Sequence, residues 1–354
     1  MRKHCKFILI VFCLLHFSRA TYSQDVGFSQ FYNQPLLRNP ALAGIFTGDV
    51  RLTASYRSQW QSVTVPYRTF AVSAEVKLPF FQLFGLETTP TLGLQLMRDV
   101  AGTSQFSTAQ VLPAFNASIR VSENSFVSLA FMGGLRQQRF DPTKLVLGDQ
   151  FVAGSNGTFS IAPFSNQVFN NTSVNYYDLS TGLSFNSSIG DNIDYYIGTG
   201  LFHVLEPTVG FYEGNRITLN KKLAFNIGLS TAINDIDELI LYGDFFSLYQ
   251  NQFKYVGNNS FQAGMLIKHQ LFVPNDEGKS ITAGVLYRFD DAIIPVVELE
   301  LSKFNIGISY DVNINKLVVA SQARGGFELT LSYKDLFNSR KADLMGVKCP
   351  KFGR

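Results

Sequence analysis

The sequence predicts an all-β fold, a transmembrane antiparallel β-barrel of about 14 strands. Three observations carry that expectation. Apolar and polar residues alternate in segment after segment, each about ten residues long or longer, between residues 48 and 337. Charged residues make up 16% of the chain and hydrophobic ones 46%, against about 25% charged in an ordinary soluble domain. The connections are unequal, and the long ones (141–173, 206–216 and 315–324) all follow odd-numbered strands. They gather at one end, as in outer-membrane barrels with long extracellular loops and short periplasmic turns. An even strand number returns both termini to the periplasm.

Residues 1–23 read as a signal peptide. MRKHCK is basic, FILIVFCLLHF is an apolar core of eleven residues, and Thr21 and Ser23 are small residues before a cut that leaves Gln24 first. The core is short of the ~20 residues a spanning helix needs. Cys5 and Cys13 leave with it, so Cys349 stands alone and no intrachain disulfide is expected. Residues 24–47 follow as an N-terminal periplasmic segment. In NPALAG (39–44), Pro40 fixes its own φ and biases Asn39 towards extended backbone, while Gly44 allows a sharp turn. These features suit a segment folded under or into the barrel before the first strand.

The barrel is expected over 48–337. Its strands are placed at 48–62, 66–79, 89–99, 103–121, 125–140, 174–189, 193–205, 217–233, 237–249, 253–269, 279–289, 292–301, 303–314 and 325–337. In the first, Val50, Leu52, Ala54 and Tyr56 alternate with Arg51, Thr53, Ser55 and Arg57. The segment 237–249, DELILYGDFFSLY, is also compatible with a helix. The stretches 80–88 and 270–278 are longer turns than the pattern favours. Near the end, Val297, Leu299, Leu301, Phe304, Ile306, Ile308 and Tyr310 form an oily face that meets lipid, and the intervening polar residues line the lumen. A soluble β-sandwich would also alternate, but it calls for more surface charge and leaves the long strands unexplained.

The inward set includes Arg51, Arg57, Glu75, Lys77, Glu298, Glu300, Asp311, Glu328 and Lys334. Closure brings Arg51 and Arg57 near Glu328 and Lys334, and the mixed signs predict a cross-linked interior rather than a field selecting one ion. Arginine in place of Ile308 is expected to be costly, whereas arginine in place of Ser309 is tolerated better if the lumen has room. Trp60 and Tyr56 fit an interfacial girdle. Residues 338–354, with Arg340, Lys341, Lys348, Lys351 and Arg354, form a basic periplasmic tail.

Little in the chain points to chemistry, and no enzyme activity, cofactor or metal is expected. Beyond the signal there are two histidines, His203 and His269, on separate strands. No nucleophile elbow, H-E-x-x-H or cysteine pair occurs. Glu298 and Glu300 share a strand face ~7 Å apart, a spacing that glycosidase carboxylates also use, but carboxylates in a lumen are usually structural. Asp290 and Asp291 mark a hairpin tip. A net charge of +3 with scattered Lys and Arg argues against nucleic acid.

Several short motifs occur in order along the chain: GFSQ (27–30), NPALAG (39–44), YRSQW (56–60), DAIIP (291–295), SYDVN (309–313), RGGFE (324–328) and CPKF (349–352). Together they resemble the PorP/SprF outer-membrane proteins of type IX secretion and gliding, whose tail reads C-P-R-F where this chain has Lys351. The region 140–217, with its Asn/Ser/Phe-rich insert, departs most from that pattern. The resemblance implies a fourteen-stranded barrel in the outer membrane. It implies partners on both sides: a secreted adhesin or other cargo at the extracellular loops, and a peptidoglycan-linked or secretion-machinery protein in the periplasm. Phe28, Asn39, Pro40, Gly44, Trp60, Pro350, Lys351 and Phe352 are the candidate partner-binding residues. The alternative function is a passive porin or transporter for small solutes.

Overall fold

The structure is a computed structural model that describes residues 27–61, 65–78, 81–83, 86–153, 158–163, 165–190, 192–211, 217–250, 254–271, 278–315, 324–335 and 352–353. The expected signal peptide, Pro350, Lys351, Cys349 and the basic residues of the tail lie outside the described residues.

Among the described residues, fourteen strands close into an antiparallel barrel. They are β1 (Val50–Gln59), β2 (Tyr67–Lys77), β3 (Leu86–Ala101), β4 (Phe106–Ser122), β5 (Ser125–Arg139), β6 (Ser173–Ile189) and β7 (Ile193–Phe202). The second half comprises β8 (Lys221–Ala232), β9 (Asp237–Gln250), β10 (Lys254–Gln270), β11 (Lys279–Arg288), β12 (Ala292–Leu301), β13 (Phe304–Asn313) and β14 (Arg324–Asp335). Each strand pairs with its sequence neighbours. The seam is β1 against β14, where Arg51 faces Lys334 and Arg57 faces Glu328. Closure leaves no barrel edge unpaired, which a lipid-embedded sheet requires. No described helix is long and apolar enough to cross a membrane.

The segment 237–249 is a strand, paired on both sides. The long connection near residue 80 has a structural cause: Phe81–Leu83 pairs back onto the start of β3 and extends it as a small hairpin. Strand β8 begins at Lys221 rather than 217, and Thr218 makes only an isolated bridge to Thr208. Within the long loop after β5, Phe151–Ala153 pairs with Phe159–Ile161 in a separate hairpin.

Alternation sorts the side chains as expected on most strands. On β13, Ile308 is 49% exposed and Ser309 is 2% exposed. The interior, however, is not uniformly polar: Ala292, Ile294 and Val296 of β12 face inward and are buried. The reason is that the lumen holds chain of its own. Residues 28–46 are buried except for the partly exposed Asn33 and Leu37, and they fold as three short turns: Phe31–Asn33, Pro35–Arg38 and Pro40–Leu42.

That filling changes the expectation for Ser309, whose Oγ accepts a hydrogen bond from Gln30 Nε2 at 3.2 Å. Room for arginine is absent. Both Ile308→Arg and Ser309→Arg are expected to impair assembly, the first by roughly 2–4 kcal/mol if it lies near the bilayer midplane, the second by expelling Gln30. Removing residues 27–47 should rescue Ser309→Arg and leave Ile308→Arg as poor as before, read by the shift of folded barrel on unheated gels.

Candidate functional site

The candidate site is the interior formed by the N-terminal segment and the wall around it. Residues 27–47 carry a single charge, Arg38, among amides, small residues and apolar side chains. Such a stretch has no two-residue period, so it makes no strand, and its prolines confine the helical pieces to one turn each.

Polar groups of the segment find partners around the wall. The backbone N–H groups of Ser29 and Gln30 donate to the two oxygens of Glu328 at 2.6 and 2.8 Å. Ser29 Oγ donates to Asp311, which also takes Arg57 at 2.6 Å and Arg288 at 2.5 Å. Arg57 in turn donates to the Gly27 carbonyl. Tyr32 Oη and Asn33 Nδ2 donate to Glu298 Oε1 at 2.6 and 2.9 Å. Burial and the Glu298 carboxylate push the Tyr32 phenol well above its ordinary range.

Arg38 is the segment's charged anchor. Its guanidinium grips Asp244 through Nε at 2.7 Å and a second nitrogen at 2.6 Å, and the third donates to Tyr196 Oη at 2.9 Å. The group also lies over the rings of Phe31 and Tyr242. Burial by itself opposes the charge, but Asp244 more than offsets it and raises the Arg38 pKa.

Apolar packing follows the same plan. Phe31 and Tyr32 meet Leu266, Leu286, Ile294 and Val296. Leu36 and Ala43 meet Leu112, Met132, Phe202 and Ala224, Phe28 meets Ala71 and Met97, and Leu42 and Ile45 meet Tyr196. Each fully buried large side chain contributes about 1.5–3 kcal/mol. Hydrogen bonds tie the segment to nine strands: β1, β2, β4, β6, β7, β9, β12, β13 and β14. The apolar clusters include residues of the other five. The segment therefore reaches the whole circumference.

The motif residues sit in this interior with specific roles. Phe28 is buried against Ala71 and Met97. Asn39 caps the Pro40–Leu42 turn by accepting from Ala41 N–H at 2.9 Å, and its Nδ2 reaches the Leu183 carbonyl at 3.2 Å. It can approach because the wall there is Gly182 and Gly198; a Cβ on either would fall 2.0 or 2.7 Å from the Asn39 amide. Pro40 begins that turn, buried. Gly44 has φ +81°, its N–H donates to Glu75 at 2.9 Å, and a Cβ there would strike Thr91. Glu75 also takes Arg51 at 2.8 Å. Trp60 ends β1 in left-handed backbone and leans on Tyr67, with ring centroids 5.3 Å apart. Phe352 returns from the C-terminal end to the lumen mouth, 4.9 Å from Tyr196 and 5.7 Å from Tyr242. Gly353 accepts from Thr47 Oγ1 at 3.4 Å.

Others of the charged residues singled out from sequence also have partners. Lys77 donates to the Phe46 carbonyl at 2.5 Å, and Glu300 takes Lys268 at 2.8 Å. His203 and Arg136 share Asp178, His269 meets Asp237, and Asp291 meets Arg288. What sequence reading missed is the pairing of this interior with the segment: Ser29, Gln30, Tyr32, Arg38 and Asp244. One signal was present, a lone arginine in 27–47 and a lone Asp244 in the otherwise apolar LILYGDFFSLY.

At the end with the long loops, Phe106, Phe140, Phe169 and Phe211 stack edge to face and tie the start of β4 to the loops after β5 and β7. Around them Val146, Phe151, Val152, Ile161 and Val168 are exposed. Ser165 and the Asn166 N–H hold the Asp149 carboxyl below its usual range.

A closed barrel with an apolar outer wall and an ion-paired interior is an integral protein of the outer membrane. A family model described as "Type IX secretion system membrane protein PorP/SprF" matches residues 20–333, and the chain belongs to that family. No curated relative matches the sequence. Among solved structures, the chain is similar to a FadL homologue of Pseudomonas aeruginosa (9% identity, TM-score 0.47, covering 84% of this chain and 92% of that one). It is also similar to the CymD monoaromatic hydrocarbon channel (11%, 0.49, 86% and 93%) and to the translocator domain of NalP from Neisseria meningitidis (11%, 0.43, 86% and 95%).

Proposed function

We propose that this chain is a non-enzymatic component of the type IX secretion and gliding machinery that helps export a secreted adhesin-like protein or holds it at the surface. The observation that carries the reading is the lumen: the space a solute would use is occupied by residues 28–46, tied to the wall all round. That speaks against the passive porin. The loops at the end away from Thr47 and the finish of β14 instead present exposed apolar side chains over a stacked aromatic base, a composition suited to contact. In this reading those loops face outward, and the cargo meets 141–173, 206–216 and 315–324. A peptidoglycan-linked or secretion-machinery protein meets the periplasmic end, where Phe352 and Thr47 lie.

Deleting most of 141–173 should leave a barrel that assembles and a cell whose small-solute permeability is unchanged, while one surface protein is released into the medium or not exported. An epitope tag in that loop should be reached by antibody on intact cells, and a tag after Arg354 should not. An intact surface proteome with reduced uptake of a solute would replace this reading with the transporter, and the reverse tag pattern would overturn the orientation.

A further inference from the structure

The outer wall between β2 and β6 has a depression that the lumen does not explain. Register places Phe70, Arg98, Ala109, Gln137 and Asn175 in one transverse row across five strands. One row further from the long loops are Val72, Leu96, Val111 and Leu135. Both rows face out: Phe70, Val111 and Leu135 are about half exposed, whereas Thr69, Met97 and Gln110 are buried on the other face. Ala109 is the small member among large neighbours. Its short side chain leaves an almost wholly apolar groove of about 410 Å³, within the ~300–1,000 Å³ of small-ligand clefts.

The rim of this groove is basic. Arg98 lies in the row of Ala109, and the next row towards the long loops carries Arg68 and Arg139, on either side of Val100 and Ser107. All three arginines are exposed. No carboxylate among the described residues pairs with any of them, in a molecule whose interior arginines are all matched. Arg68 and Arg98 are diagonal neighbours across one strand pair, ~7–8 Å apart at Cα. Arg139 lies two strand spacings and one row from Arg98, ~12 Å at Cα. Guanidinium forks on such stems converge readily on one phosphate.

We propose that this groove binds one phosphorylated membrane lipid from the leaflet beside the long loops, an acyl chain over Ala109 and the phosphate held by Arg98, Arg68 and Arg139. With those loops outside, the lipid is of the lipid A class. The site depends on the barrel's place in the membrane and is independent of its role in secretion.

The full chain, purified in mild detergent, is incubated with lipid A or with its dephosphorylated form, and retained lipid is read by native mass spectrometry. Phosphorylated lipid should stay on the barrel and the dephosphorylated form should wash off. Arg98→Gln removes one charge-assisted contact and should lower retention about tenfold. Ala109→Leu fills the groove with a side chain suited to a lipid face and should lower it similarly. Both variants should still run as folded barrels. Equal retention of the two lipids, as expected of ordinary interfacial anchors, overturns the proposal. So does either variant holding the lipid as the parent chain does.

Discussion

Replacing Arg38 with alanine is expected to lower the stability of the barrel by about 3–5 kcal/mol, the usual cost of removing one member of a buried ion pair. The substitution strips Asp244 of two charge-assisted hydrogen bonds and leaves its carboxylate with only Asn226 Nδ2, at 2.9 Å. Tyr196 loses its donor, and the rings of Phe31 and Tyr242 lose the cation that lies over them. Asp244→Asn should be milder, because an amide still accepts one of the two bonds. Arg38→Met combined with Asp244→Leu should regain most of the loss, since no unpaired charge is then left in the interior. The measurement is the temperature at which folded barrel converts to the unfolded band on a gel. An Arg38→Ala barrel that melts with the parent would mean that the segment is not seated in the lumen.

Deleting residues 27–47 is expected to change the barrel from closed to open. In planar bilayers the intact chain should give no steady conductance and the shortened chain a continuous one. The deletion removes from the lumen the segment's apolar side chains in every cluster, and strips Glu328, Glu298 and Asp244 of the hydrogen bonds they accept from the segment. Water then takes the place of the segment, because an interior bearing those carboxylates does not stay dry. Destabilisation is expected too, so conductance is read on refolded, gel-shifted barrel. If that barrel conducts no more than the parent, residues 27–47 are not what closes the lumen.

The outside of this molecule was legible in the sequence and the inside was half so. Strand faces have a period of two, and each oily face in the strands around Tyr56, Ile308 and Leu329 meets a uniform solvent, so local pattern suffices. The seam was legible as well, because closure makes the first and last strands neighbours and thereby sets Arg57 opposite Glu328. The contents of the lumen follow no such rule. Arg38 and Asp244 are 206 residues apart, and nothing periodic relates them. Ile294 and Val296 share the inward face with Glu298, and Phe31 and Tyr32, more than 260 residues earlier, are what covers them. A serine or glutamate facing inward reads the same whether it meets water or Gln30, which is why the sequence left open whether there is room beside Ser309, a place that Gln30 fills.

The order in which the barrel can be completed follows from where its first described residues are tied. Ser29 and Gln30 precede every strand, yet their partners Asp311 and Glu328 are on the last two, β13 and β14. A nascent chain still lacking β14 has no acceptor for those two backbone donors and no far wall for β1. The head segment and the last strand must meet before either is satisfied, a contact of very long sequence separation and hence among the slowest to form. A chain cut short before β14 would then keep a ragged strand edge and an undocked head together, two marks by which a protease could tell it from a finished molecule.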